Sequence, residues 1–217
     1  MTSAISQEVR LTEIFYSIQG EGPFSGQPTT FIRLTGCPLR CTYCDTAYAF
    51  TGGKKYIISS VIDQIDLNRS NYVCVTGGEP LVQPTVHHLM KSLCDKGYQV
   101  SIETSGALDI SNVDLRVIKV LDIKTPGSGE VEKNLISNIK YLLPHDVVKF
   151  VICSDNDYLW AKQFMADHLN ENMVIYFSPV VPGMDPASLA DRILSDQLQV
   201  RLQIQLHKHL WGDARGK

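Results

Sequence analysis

Residues Tyr72–Pro80 read YVCVTGGEP. Tyr72–Thr76 carries no charge and is rich in β-branched and aromatic side chains, which fits a buried strand. Gly77-Gly78 ends it. Pro84 suits the first turn of a helix running to Lys96, and Gly97 suits its C-terminal cap. Gln99–Thr104 (QVSIET) is strand-like again. Strand, glycine loop, helix, strand is a βα unit whose strands lie parallel.

The same alternation extends in both directions. Upstream, Thr30–Thr35 (TFIRLT) reads as a strand and Ile58–Asn68 as a helix. Downstream, the strands are Val117–Ile123, Val147–Cys153, Val174–Pro179 and Val200–Leu206; the helices are Val131–Leu142, Asn156–Leu169 and Pro186–Asp196. This gives seven strands, one short of the eight in a closed (β/α) barrel. The expected fold class is therefore α/β, as a partial (open) TIM-like barrel of about six to seven parallel strands, with a doubly wound sheet as its competitor. No repeat, low-complexity run or linker divides the chain, so residues 1–217 are expected to form a single domain.

The chain has 217 residues, 44% hydrophobic and 20% charged, enough for a sizeable core. A net charge of -3 and a pI of about 6.0 give no basic footprint for nucleic acid. The first residues lack the apolar centre of an export signal, and no window has the apolar length of a membrane span. A reducing, cytoplasmic location is the expectation. The six cysteines are then thiols or metal ligands rather than disulfides. Cys74 and Cys153 lie in apolar runs and read as small buried hydrophobes.

Chemistry in parallel α/β folds gathers at the carboxyl ends of the strands. The segments expected there are CPLRCTYCDT, GGEP, SG, KTPGSGE, VVPGMDP and HKHLWGD. The first carries Cys37, Cys41 and Cys44, spaced C-x-x-x-C-x-x-C. Closely set thiolates favour zinc, Cu(I) or iron–sulfur clusters. A structural zinc site needs a second knuckle, and His87-His88 sit in a helical pattern away from the loops. Four cysteines normally hold an iron–sulfur cluster; three leave one iron open to another ligand.

With Tyr43 before the third cysteine, this pattern resembles the radical S-adenosylmethionine (SAM) superfamily. The resemblance implies a [4Fe–4S] cluster on the three thiolates and SAM on the open iron. It also implies reductive cleavage of SAM to a 5′-deoxyadenosyl radical. Gly77-Gly78-Glu79-Pro80 is similar to the superfamily's GGEP motif, whose backbone and carboxylate meet the SAM amino group. IFYSIQGEG (Ile14–Gly22), TFIRLTG, Cys44-Asp45-Thr46, IETSG and the late Gln205, His207 and Lys208 together resemble the 7-carboxy-7-deazaguanine synthase family. The likeness runs from about Glu13 to the C-terminus.

That resemblance implies a lyase converting 6-carboxy-5,6,7,8-tetrahydropterin to 7-carboxy-7-deazaguanine with loss of ammonia, in the route to queuosine. Hydrogen is taken at C6, and Mg²⁺ assists. Residue by residue it implies Ile18, Gln19, Gly20, Glu21, Arg33, Thr76 and His207 for substrate and Thr46 for Mg²⁺. Tyr43, Cys44, Asp45, Gly78, Glu79, Ser105, Asp122, Ile123 and Lys124 are implied for SAM. It also implies a homodimer and a flavodoxin-like reducing partner. Two readings compete: a glycyl-radical activating enzyme of the same superfamily, and a non-enzymatic iron–sulfur or zinc module. QGEG with CDT suits a small molecule and Mg²⁺ better than a peptide loop.

Overall fold

A computed structural model describes residues 7–66, 70–180 and 183–217. Its strands are β1 (Glu8–Ile18), β2 (Pro28–Leu34), β3 (Lys54–Ile57), β4 (Tyr72–Gly77), β5 (Gln99–Thr104), β6 (Ile118–Ile123), β7 (Val147–Ile152), β8 (Val174–Pro179) and β9 (Arg201–Leu202). Its helices are α1 (Ile58–Asp66), α2 (Val86–Asp95), α3 (Asp155–His168), α4 (Pro186–Ser195) and α5 (Leu206–Trp211). The strands form one sheet in the order β3-β1-β2-β4-β5-β6-β7-β8-β9. From β2 to β9 every neighbouring pair is parallel. β1 joins β2 and β3 antiparallel. The seven expected strands are thus the parallel part of an open, TIM-like sheet, extended by two strands absent from the sequence reading.

Strand parity decides what faces where. Ile32 and Leu34 of β2, Val73 and Val75 of β4, Leu121 and Ile123 of β6, and Val148, Phe150 and Ile152 of β7 belong to the main core. That core also holds Val61 and Ile65 of α1, Leu89 and Leu93 of α2, Tyr158 and Phe164 of α3, and Leu189 and Ile193 of α4. The alternate residues take the opposite face. Deep on it, Val120, Val147 and Tyr176 form a small apolar cluster; nearer the carboxyl ends, polar side chains take over.

Three expectations need correction. Val131–Leu142 is not an α-helix but two short 3-10 segments, Val131–Lys133 and Ile136–Tyr141. Its asparagines serve other loops: Asn134 bonds both backbone groups of Lys124, and Asn138 bonds Ile110, Gly106 and Leu108. Val200–Leu206 is a strand only at Arg201–Leu202, because the chain then turns into α5. The helix expected over 84–96 begins at Val86, after a 3-10 turn at Pro80–Val82. The end of the expected helix Ile58–Asn68 lies outside the described residues. Among those described, no helix is long and apolar enough to cross a membrane.

Candidate active site

Two adjoining depressions lie at the carboxyl ends of the parallel strands, and both are lined by Arg33, Thr46, Thr76 and Glu103. The first is also lined by Cys37, Cys41 and Cys44, by Gly77-Gly78, and by Ser105, Asp122 and Lys124. The second is lined by Ile18–Glu21, by His207, and by the tail Gly212–Lys217. All the expected site residues except Glu79 and Ile123 therefore line a cysteine half or a loop-and-tail half of one cleft. Lys217, at the end of that tail, lines it too. Ile123 does not: parity sends Asp122 into the cleft and Ile123, fully buried, into the helix-covered core.

The cysteine loop is held by the loop that follows β6. Thr42 donates its N–H to Ser128 O at 3.0 Å and its hydroxyl to Gly127 O at 2.7 Å. Arg40 N–H donates to Glu130 Oε1 at 2.5 Å. That second loop is anchored from α3, where the Asp157 carboxylate accepts from Gly127 N at 2.7 Å and Cys153 N at 3.0 Å. Burial pushes the Cys37 and Cys41 thiols up; at Cys41 the Lys124 ammonium pulls the other way. Among the described residues no three His, Cys, Asp or Glu side chains converge on a single-ion site. A cubane, whose thiolates bind different irons, does not need such convergence.

Beside the cysteines, Gly78 is fixed by close approach. A Cβ there would press on Gly36 O and lie 2.7 Å from Cys37 Cβ, so only glycine fits this wall. Glu79 is fully buried and already committed. Its carboxylate accepts from Leu81 N (3.0 Å), Thr104 Oγ1 (2.9 Å), Ser105 N (2.7 Å) and Ser105 Oγ (2.6 Å). It ties the β4 loop to the end of β5. Two buried polar atoms here lack partners among the described residues, Tyr43 OH and Asp122 Oδ1. Asp122 uses its other oxygen on Lys124 Nζ at 3.1 Å. Three thiols on one loop, a wall without side chains and unspent polar atoms fit a cluster with a polar organic cofactor.

In the second half, Glu21 is central. It pairs with Lys149, which stands mid-strand on β7, and accepts from Gln205 Nε2 at 2.6 Å. Burial works against the Glu21 charge, but the Lys149 ammonium and the Gln205 amide together help hold the carboxyl below its ordinary range. Glu103 goes the opposite way: burial pushes it up, and the Glu21 charge adds to that. Asp45 accepts from Thr46 Oγ1 at 2.8 Å and pairs with Lys208 Nζ at 3.2 Å. Gly20 abuts His207, whose Cγ would lie 2.8 Å from a Cβ at that position. Burial lowers the His207 pKa, against the pull of Glu21 and Asp45, so the ring is neutral at neutral pH.

Lys149 was not singled out from the sequence. Its signal is a lone cation in an apolar strand, VVKFVIC, a setting that Arg33 shares in TFIRLT.

The chain resembles known proteins over most of its length. The model of the radical SAM superfamily matches residues 31–122. A protein of Chlorobaculum tepidum named 7-carboxy-7-deazaguanine synthase is 43% identical over 96% of this chain and 97% of its own. One of that name from Thermoplasma acidophilum is 39% identical over 95% and 99%. Among solved structures, QueE from Escherichia coli matches with a TM-score of 0.79 at 21% identity, over 95% of this chain and all of that one. SuiB of Streptococcus suis, solved with S-adenosylmethionine, matches at 0.55 and 14% identity, over 78% of this chain and 45% of its own. These two likenesses concern the fold.

Proposed function

Because the chain belongs to the 7-carboxy-7-deazaguanine synthase family, within the radical SAM superfamily, we propose that it is a carbon–nitrogen lyase. Its substrate is 6-carboxy-5,6,7,8-tetrahydropterin and its products are 7-carboxy-7-deazaguanine and ammonia. The observation that carries this reading is the placement of Arg33. It projects from β2 into the wall common to both halves of the cleft, between the three cysteines and the loop Ile18–Glu21.

When bound, the cluster and SAM would supply the radical chemistry that removes hydrogen at C6. Cys37, Cys41 and Cys44 would hold the cluster, and the Gly77-Gly78 wall with Tyr43, Asp45, Ser105, Asp122 and Lys124 would hold SAM. Glu79 keeps that wall in place. Arg33 grips the substrate carboxylate; among the described residues only its Nε is hydrogen-bonded, so the outer fork is available for two parallel bonds. Gln19 and Glu21 face the amide-like edge of the pterin ring with an amide and a carboxylate. Thr76 and neutral His207 add one polar contact each.

Thr46 offers Mg²⁺ a hydroxyl oxygen beside Asp45, and the remaining positions go to waters and substrate oxygens. The protein works as one domain and a homodimer in the cytoplasm, reduced by a flavodoxin-like partner. The glycyl-radical activating reading is not favoured, since relatives matched nearly end to end carry the synthase name. The test is to incubate the reconstituted, reduced protein with the carboxylated pterin, SAM and Mg²⁺ and to measure ammonia. Cleavage of SAM without ammonia release rejects the proposal.

A further inference from the structure

Arg33 is held more tightly than a carboxylate anchor on a strand needs to be. Its Nε donates to Glu13 Oε1 of β1 at 2.7 Å, and both side chains are largely covered (16% and 23% exposed). The same Glu13 oxygen accepts from Tyr48 OH at 2.8 Å. The guanidinium lies 5.6 Å from the centroid of Phe15 and 5.8 Å from that of Tyr48. Phe15 in turn stacks on Phe31, with ring centroids 4.7 Å apart. From the tail, the Arg215 guanidinium approaches the Tyr48 ring at 4.3 Å.

These contacts have one geometric result. An arginine on a strand has several rotatable bonds and sweeps a wide arc. Here two aromatic rings lie beside the guanidinium, and a carboxylate oxygen fixes its inner nitrogen. The arc open to the outer fork is then narrowed before any substrate arrives. Burial works against the Arg33 charge, and the Glu13 carboxylate that accepts from its Nε favours it. Burial also pushes the Tyr48 phenol up to about 12, so it stays protonated and donates to Glu13.

We propose that Glu13 and Tyr48 are positioning residues that set the Arg33 fork, and that this frame determines selectivity for a carboxylated over an uncharged pterin. The proposal rests on Arg33 as the carboxylate anchor. It differs from a simple counter-ion role in sign. If Glu13 merely neutralised Arg33, removing it would raise the local positive charge and tighten carboxylate binding. A positioning role predicts the reverse.

The experiment compares holoenzyme binding of 6-carboxypterin and its 6-carboxamide by fluorescence quenching, alongside KM and kcat for the tetrahydropterin substrate. The wild type should prefer the carboxylate by about tenfold or more, as charge-assisted bidentate bonds allow. Glu13→Ala should cut this preference to about threefold or less and raise KM about tenfold, with a much smaller change in kcat. Glu13→Gln, whose amide oxygen still accepts from Nε, should restore most of the preference. Tyr48→Phe should lose about two- to threefold. Unchanged or tighter carboxylate binding in Glu13→Ala overturns the proposal. If Glu13→Ala does not retain its iron, the other two variants decide, and an unchanged Tyr48→Phe overturns it. A wild type that binds acid and amide alike rejects the Arg33 anchor itself; discrimination that survives all three variants rejects only the frame.

Discussion

Lys149 of β7 and Glu21 of the loop after β1 form a largely buried ion pair across the cleft, with side chains 12% and 11% exposed. They are 128 positions apart in sequence. The pair joins the parallel strands to the substrate loop, and its energetics are asymmetric. Breaking a buried pair strands an uncompensated charge, whereas removing both partners does not.

Lys149→Met should therefore lower stability by about 3 kcal/mol, read from denaturant unfolding. Adding Glu21→Gln should recover a large part of that loss. A double variant no more stable than Lys149→Met would show that the pair is not energetically coupled.

Glu103 should leave a signature in the pH dependence of stability. Its carboxyl in the folded state lies above the ordinary value of 4.5, because burial and the Glu21 charge disfavour ionisation. A raised folded-state pKa adds stability below 4.5 that is lost as pH rises through the folded-state value. Thermal midpoints of the wild type should thus fall over that interval, and Glu103→Gln should flatten the fall. Identical slopes in the two proteins would remove Glu103 as its source.

Anaerobic reconstitution should load about four irons and four sulfides per chain. Cys41→Ala should lose most of the iron and all SAM cleavage. One tightly bound zinc with no iron would contradict the assignment of the cysteine loop.

Thr46→Ala should raise the Mg²⁺ concentration needed for half-maximal activity by about tenfold, as expected when one of few protein oxygens is lost. An unaltered magnesium titration would take Thr46 out of the metal site.

Glu79→Gln should cost about 1–3 kcal/mol, because its amide would turn donor hydrogens toward groups that already donate. Part of the loss should appear as weaker SAM binding, measured by equilibrium dialysis, since the Gly77-Gly78 wall hangs from this carboxylate.

The parallel strands were legible because each is a short apolar run closed by a glycine or polar loop, and strand parity then fixed which side chains meet. β1 was not legible. Its alternation is interrupted where the pairing with β2 shifts register between Leu11 and Glu13. β3 is a four-residue edge strand carrying two lysines, a composition that protects an edge but hides a strand. The cysteines stood out by residue type and spacing, whereas Arg33 and Thr46 came from the family resemblance. Glu13 and Tyr48 act through partners far away in sequence, and no local pattern announces them; Lys149 shows locally only as a lone cation in an apolar strand.

The substrate loop is stitched to a distant part of the chain. Gly22 N–H donates to Gln203 Oε1 at 3.0 Å, Leu206 N–H to Gly20 O at 3.0 Å, and Gln205 to Glu21 at 2.6 Å. Residues 19–22 are made early and residues 203–207 almost two hundred positions later. During translation the parallel strands up to β8 are synthesised while the loop still lacks its clasp. A nascent chain can therefore acquire most of its sheet and its cysteine loop before it has a complete place for the pterin.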